Sequence, residues 1–313
     1  LYVDGTIEIG VLVAFIGYLA SFFDPVQQLS QVYNTFLAGT AALDKIFDVM
    51  DDMPTLVDAP DAQPLPPIEG AVRFEHVRFG YNPERPVVDG LDLDVAAGQT
   101  VALVGHTGAG KSTIIKLLAR FYDPQSGRIT IDGHDLRAVT TASLRDQIAI
   151  VPQEGFLFNG TIHENIAFGR PSATRAEVEA AAREVGADRF IEQLPDSYDE
   201  KVAERGGRLS IGQRQLIAFA RALLVDPRLL ILDEATSSVD IQTEAHIEEA
   251  LARLLADRTA FVVAHRLSTI RNADLIVVLE HGKVVEAGSH DELLERGGRY
   301  RGLYGDWAEA VAR

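Results

Sequence analysis

Gly105-His106-Thr107-Gly108-Ala109-Gly110-Lys111-Ser112 is a glycine-rich run that ends in a lysine and a hydroxyl. The run before it, Thr100-Val101-Ala102-Leu103-Val104, reads as a buried strand, and 111–119 reads as a helix. Strand, glycine loop and helix together are the setting in which such a run grips phosphate. Gly105, His106, Thr107, Gly108, Ala109 and Gly110 then turn backbone N–H groups inward, and the helix start adds partial positive charge. Lys111 is expected to reach the outer phosphates and Ser112 to offer its hydroxyl to Mg²⁺, with Thr113 beside them in the first helical turn.

Two downstream stretches belong to the same chemistry. Leu229-Leu230-Ile231-Leu232 is an apolar strand that ends in Asp233-Glu234. Adjacent carboxylates at a strand end reach a metal and a water together, so Asp233 is expected to hold Mg²⁺ and Glu234 to polarise an attacking water. Shortly before it, Leu209-Ser210-Ile211-Gly212-Gln213-Arg214-Gln215 is a second glycine-bearing helix entrance. Ser210 fits an N-cap there, and a capped helix start also suits an anion.

Around these stretches, strands are expected at 72–79, 91–95, 100–104, 128–131, 148–151, 229–232, 260–263, 275–279 and 283–285. Helices are expected at 111–119, 175–186, 213–224 and 242–255. The alternation implies an α/β core with a largely parallel sheet. At 313 residues, a formal charge of −17 argues against a general nucleic-acid binder, which needs a basic face. The absence of cysteine excludes disulfides and thiolate metal sites.

The N-terminus differs in kind. Residues 9–23 carry no charge and are rich in Ile, Val, Leu and Phe. Their length is short of the roughly 20 residues of a spanning helix, so a buried core helix and a membrane segment both fit. Beyond Asp24 helical spacing continues to Met50 in more polar company, with Pro25 a place for a kink. Such a helix would run on the order of 65 Å, well beyond a bilayer core. Five prolines in 51–69 read as a semi-rigid connector. The expected organisation is therefore 1–50 helix, 51–69 connector and 70–313 nucleotide-binding domain. The start at Leu1 rather than Met fits a piece of a longer protein.

Together the phosphate loop, the Ser-Ile-Gly-Gln helix entrance and the Asp233-Glu234 strand end resemble an ATP-binding cassette (ABC) ATPase. The resemblance runs from about Val72 to Gly288. It implies a P-loop NTPase fold with a RecA-like core, an antiparallel β subdomain and a helical subdomain. It also implies ATP and Mg²⁺ as ligands and hydrolysis of ATP. In that family two copies meet head to tail, so Ser210, Gly212 and Gln213 would approach the γ-phosphate held by the other copy. Here Ile211 stands where the family usually has glycine.

Three further roles come from family position alone: Gln153 as the glutamine that senses Mg²⁺ and water, His265 as the switch histidine, and Tyr81 as the aromatic on adenine. Ala235-Thr236-Ser237-Ser238-Val239-Asp240 resembles the family's D-loop, with Ser238 and Val239 replacing the commoner Ala and Leu. Residues 155–166 and Glu204-Arg205-Gly206-Gly207 resemble the exporter surfaces that meet coupling helices, and 7–50 resembles the last membrane helix of an exporter.

The resemblance then implies a half-transporter in the cell membrane. Its ATPase domain would be cytoplasmic, its helix in lipid, and its remaining membrane helices outside these residues. A second half-transporter, identical or not, completes it, and no nucleic acid is involved. A soluble ABC ATPase acting on DNA ends or ribosomes would need coiled-coil insertions or two cassettes in one chain. An ATP-gated channel would read the same as a pump.

Overall fold

The computed structural model describes residues 8–53, 56–153, 155–202, 207, 209–233, 241–264 and 266–311. The chain divides into two compact units, Leu1–Val57 and Asp58–Arg313. The first is essentially one helix, α1 (Ile9–Met50), continuous through Pro25 and without a buried residue. Among the described helices it alone is long and apolar enough to cross a membrane.

The second unit runs β1 (Val72–Phe79), β2 (Val88–Val95), β3 (Thr100–Val104), α2 (Lys111–Leu118), β4 (Ser126–Ile131), β5 (His134–Asp135), α3 (Thr141–Arg145) and β6 (Ile148–Val151). It continues with β7 (Gly160–Thr161), α4 (Ile162–Ala167), α5 (Arg175–Glu184), α6 (Asp188–Ile191), β8 (Lys201–Val202), α7 (Ile211–Val225), β9 (Leu229–Asp233) and α8 (Ile241–Leu255). Last come β10 (Thr259–Val263), α9 (Leu267–Arg271), β11 (Leu275–Glu280), β12 (Lys283–Gly288), α10 (His290–Arg296) and α11 (Arg299–Val311).

A six-stranded sheet in the order β12-β11-β3-β10-β9-β6 forms the centre, parallel except for β12. Its inner strands β11, β3, β10 and β9 are nearly continuous apolar runs because both faces are covered. The period of two divides each strand between two cores. Val101, Leu103, Phe261 and Ile231 join the core shared with α2 and an antiparallel sheet, β2-β1-β4-β5. Ala102, Val104, Val262 and Leu232 join the core of the helical side, with α4, α5, α7 and α8. This is the mixed α/β P-loop architecture expected from the sequence.

The nine expected strands are present, several of them one to three residues longer. The helices α3, α4, α6, α9, α10 and α11 were not expected. The proline-rich stretch read as a connector over 51–69 divides at Val57. From Asp58 on it packs on the second unit, burying Leu65 and Ile68.

Candidate functional site

β3 ends at Val104, and the chain turns through the glycine loop into α2. Gly105 has φ +150, and a Cβ there would meet the Leu279 carbonyl oxygen at 2.3 Å, so only glycine lets the loop sit against β11. Gly110 caps α2 in the left-handed region. Lys111 is buried, and its Nζ donates to the carbonyls of Gly105 (2.6 Å) and His106 (3.1 Å). The ammonium is thus parked across the loop it is expected to serve. Burial holds its pKa below the ordinary lysine value, with Asp233 pulling the other way. A phosphate arriving in the loop would relieve that desolvation. His106, Thr107, Gly108 and Ser112 are exposed, whereas Ala109 and Thr113 are buried.

Strand register brings the other expected residues to the same edge. Leu103 pairs with Val263, Val263 with Asp233, and Leu232 with Val151. The carboxyl ends of β3, β10, β9 and β6 therefore align beside the loop, where open α/β sheets bind ligands. Asp233 is half-buried there and Gln153 is exposed two residues past β6. Glu234, the D-loop stretch and His265 lie outside the described residues, as do Glu204, Arg205 and Gly206.

Ser112, Asp233 and Gln153 offer only oxygen donors, together with an amide NH₂, which suits a hard cation such as Mg²⁺ bound jointly with phosphate. Among the described residues no three His, Cys, Asp or Glu converge on a metal site.

Tyr81 stands half-exposed in a ring cluster with Phe79 and Tyr122, centroids 5.3–5.4 Å apart. Its hydroxyl lies 3.4 Å from Thr113 Oγ1, and Lys116 Nζ sits 5.6 Å from its ring centre. The ring is thereby fixed beside the start of α2 while remaining about half exposed.

On the helical side Ser210 caps α7 reciprocally. Its hydroxyl accepts from Gln213 N–H (3.1 Å), and Gln213 Oε1 accepts from Ser210 N–H (2.9 Å). The capping box leaves Ser210 exposed at the helix start, so capping and anion binding coexist. Gly212 is buried and Ile211 is 45% exposed, so its bulk points away from the core.

The middle of α7 supports an aromatic face that sequence reading had placed on 155–166 without its anchors. Arg221 donates to the carbonyls of Asn165 (2.8 Å) and Phe156 (3.2 Å) and lies over the rings of Phe158 and Phe168. Gly169 lets the chain pass α7, since a Cβ there would meet the Arg221 carbonyl at 2.5 Å. Beside this face is a groove of about 490 Å³ bounded by Arg145, Ile150, Phe168, Arg221, Ala222 and Val225. Arg221 had no signal in the sequence, because its partners reach it only through the fold, and Asn165 lay in the stretch 155–166 without a role of its own.

The phosphate loop, the aligned Asp233 and the capped Ser-Ile-Gly-Gln helix decide the family. A model of the ABC transporter family matches residues 88–237. The chain belongs to the ABC transporter family. It is 51% identical over 303 residues to the uncharacterized ABC transporter ATP-binding protein YknV of Bacillus subtilis, covering 97% of this chain and 50% of that one. It is 50% identical to the fatty acid ABC transporter ATP-binding/permease protein of Mycobacterium tuberculosis, covering 95% and 47%. A solved bacterial Atm1-family ABC exporter with ATP bound superposes with a TM-score of 0.79 at 44% identity, covering 98% of this chain and 53% of that one. This ABC transporter chain therefore spans about half the length of the relatives it matches.

Proposed function

We propose that the chain is the carboxyl-terminal part of an exporter-type half-transporter, which hydrolyses ATP to drive a substrate across the cell membrane. The carrying observation is the buried Lys111, parked on its own loop beside the strand end that bears Asp233. Lys111 would exchange the Gly105 and His106 carbonyls for phosphate oxygens, and the loop N–H groups would hold the rest. Ser112, Asp233 and Gln153 would hold Mg²⁺, which supplies charge neutralisation across the phosphates.

Glu234 would polarise the water that attacks the γ-phosphorus as the bond to the bridging oxygen breaks, and His265 would steady the γ-phosphate. Tyr81 would stack on adenine. Ser210, Gly212 and Gln213 would close the site from a second half-transporter, identical or not, with the α7 dipole aimed at the γ-phosphate.

The groove beside Phe158 and Phe168 suits the coupling helices of the membrane domain, with the ATPase domain cytoplasmic. A second observation supports the membrane placement of α1. Gly10, Ala14, Gly17, Ser21, Asp24, Gln28, Gln31, Thr35, Ala38 and Ala42 alternate at steps of three and four and form one small-and-polar face. A core helix of a soluble protein would carry its large apolar residues on such a face. Here Phe15, Phe22, Leu29 and Phe36 lie off it and are exposed. In a bilayer the small face meets other helices and the transport path, and the large residues meet lipid.

Phosphate release by the full-length transporter in lipid nanodiscs tests this reading. Glu234→Gln should lower turnover on the order of a hundredfold or more while nucleotide binding persists. Wild-type turnover in that variant would overturn the role.

A further inference from the structure

The stretch between the membrane helix and β1 is fastened to one particular part of the ATPase domain. The Asp58 carboxylate accepts from Thr141 N–H (3.0 Å), from the Thr141 hydroxyl (2.5 Å) and from Arg120 Nη1 (3.2 Å). Arg120 is 1% exposed and also donates to the Val139 carbonyl at 2.6 Å. Gln63 pairs by backbone with the same segment, its N–H to the Ala138 carbonyl (3.0 Å) and its carbonyl from Thr140 N–H (2.9 Å). Leu65 N–H donates to Ser143 Oγ (2.8 Å). Gln147 grips both ways: Oε1 accepts from Ile68 N–H (2.9 Å), and Nε2 donates to the carbonyls of Leu65 (3.2 Å) and Pro66 (3.0 Å).

Apart from Arg120, these partners lie within 138–147, which leads directly into β6. That strand is the edge of the central sheet, held on one side only by β9. Gln153 follows it by two residues. Arg120 is buried and Asp58, Thr141, Ser143 and Gln147 are half-buried, so opening the joint would break several hydrogen bonds at once and leave the Arg120 guanidinium short of an acceptor.

We propose that Asp58 and Gln147 are positioning residues of a clamp that makes the connector, α3 and β6 move as one body, so that displacement of the membrane helix reaches Gln153 through the chain's own backbone. The clamp rests on the hydrolytic reading above. It acts in cis, alongside whatever docks in the groove at Phe168.

These 313 residues hold no cysteine; with any cysteine in the rest of the full-length transporter replaced, a single Ser21→Cys on α1 reports labelling by a water-soluble maleimide. In nanodiscs the rate is measured in the full-length transporter with and without ATP, Mg²⁺ and vanadate. Hydrolysis is read in the same preparation. In Gln147→Leu and Asp58→Ala, basal kcat and the KM for ATP should stay within about twofold, while the nucleotide-dependent change in labelling falls at least threefold. Asp58→Asn, which keeps an acceptor, should recover part of it.

A second test fastens the joint instead of loosening it. Gln63 and Val139 are bridge partners. Strand neighbours lie about 4.8 Å apart, within disulfide reach, so Gln63→Cys with Val139→Cys locks the clamp shut. The locked protein should hydrolyse ATP and change its labelling as the parent does. An unaltered labelling response in Gln147→Leu, or loss of the response on locking, overturns the clamp. Loss of hydrolysis in the parent counts instead against the functional reading.

Discussion

Lys111 shows what a residue inherits from its motif and what only the fold supplies. Its place in the loop was readable because the motif is local and its flanks are unambiguous. Its attachment to the Gly105 and His106 carbonyls was not, since it depends on how the loop folds back over α2. Lys111→Ala should weaken nucleotide binding by about 1.5–3 kcal/mol, the range for hydrogen bonds to charged groups, or roughly 10- to 150-fold. A fluorescent-nucleotide titration measures it. Ser210→Arg should lower hydrolysis on the order of a hundredfold in the assembled transporter and leave that titration unchanged, because in the proposed assembly Ser210 would serve the opposite copy's site.

Asp58 offers a pH test at the same scale. Its pKa is held below the ordinary 3.8, first by the Thr141 hydroxyl and then by the Thr141 N–H, with Arg120 adding to them. A depressed carboxylate contributes stability that is present above its unfolded pKa and lost as pH falls through the folded one. The Thr141 amide should therefore stay protected from hydrogen exchange at pH 5 and open only below the usual carboxylate range. Opening near neutral pH would contradict the geometry. None of this was legible in the sequence, where Asp58 and Thr141 stand 83 positions apart.

At the scale of elements, long apolar strands were readable and short capped helices were missed. The signal for α4 and α10 was present nonetheless. Thr161 with Glu164, and Ser289 with Glu292, form capping boxes. A hydroxyl followed three residues later by Glu is the sequence mark of a helix start. These helices are too short for hydrophobic periodicity to register, so capping alone announces them.

What periodicity and capping both leave out is the anchoring of α4. Asn165 is 1% exposed and holds Phe158 by its N–H (2.8 Å) and its carbonyl (3.0 Å), and Thr161 by its carbonyl (2.9 Å). Asn165→Ala would strand buried backbone groups and should cost about 2–3 kcal/mol. Urea unfolding of the soluble unit reads this as a lower midpoint at unchanged slope. Because Arg221 also leans on Asn165, the Phe158–Phe168 face should lose order with it.

At the scale of the whole molecule, composition suggested a boundary near residue 70, after the last proline of the connector. The fold puts it at 57–58. Proline content predicts stiffness, and a stiff segment can equally dock: its few free conformations make ordering cheap, and its carbonyls remain available to Gln147. A domain cut to begin at residue 70 loses Leu65 and Ile68, which are 5% and 6% exposed. Their burial is worth roughly 3–6 kcal/mol together as an upper estimate. The cut also removes an acceptor from the buried Arg120 and takes away the Leu65 and Ile68 N–H groups from which Ser143 Oγ and Gln147 Oε1 accept. Residues 58–313 should therefore fold as a soluble unit with a urea midpoint at least about 1 M above that of residues 70–313, given slopes of roughly 1–3 kcal/mol per M. Equal midpoints would mean that the docked segment adds nothing, and would remove the energetic ground for the clamp as well. Residues 1–57 should by contrast require detergent or lipid, because the large side chains of α1 have nothing in this unit to pack against.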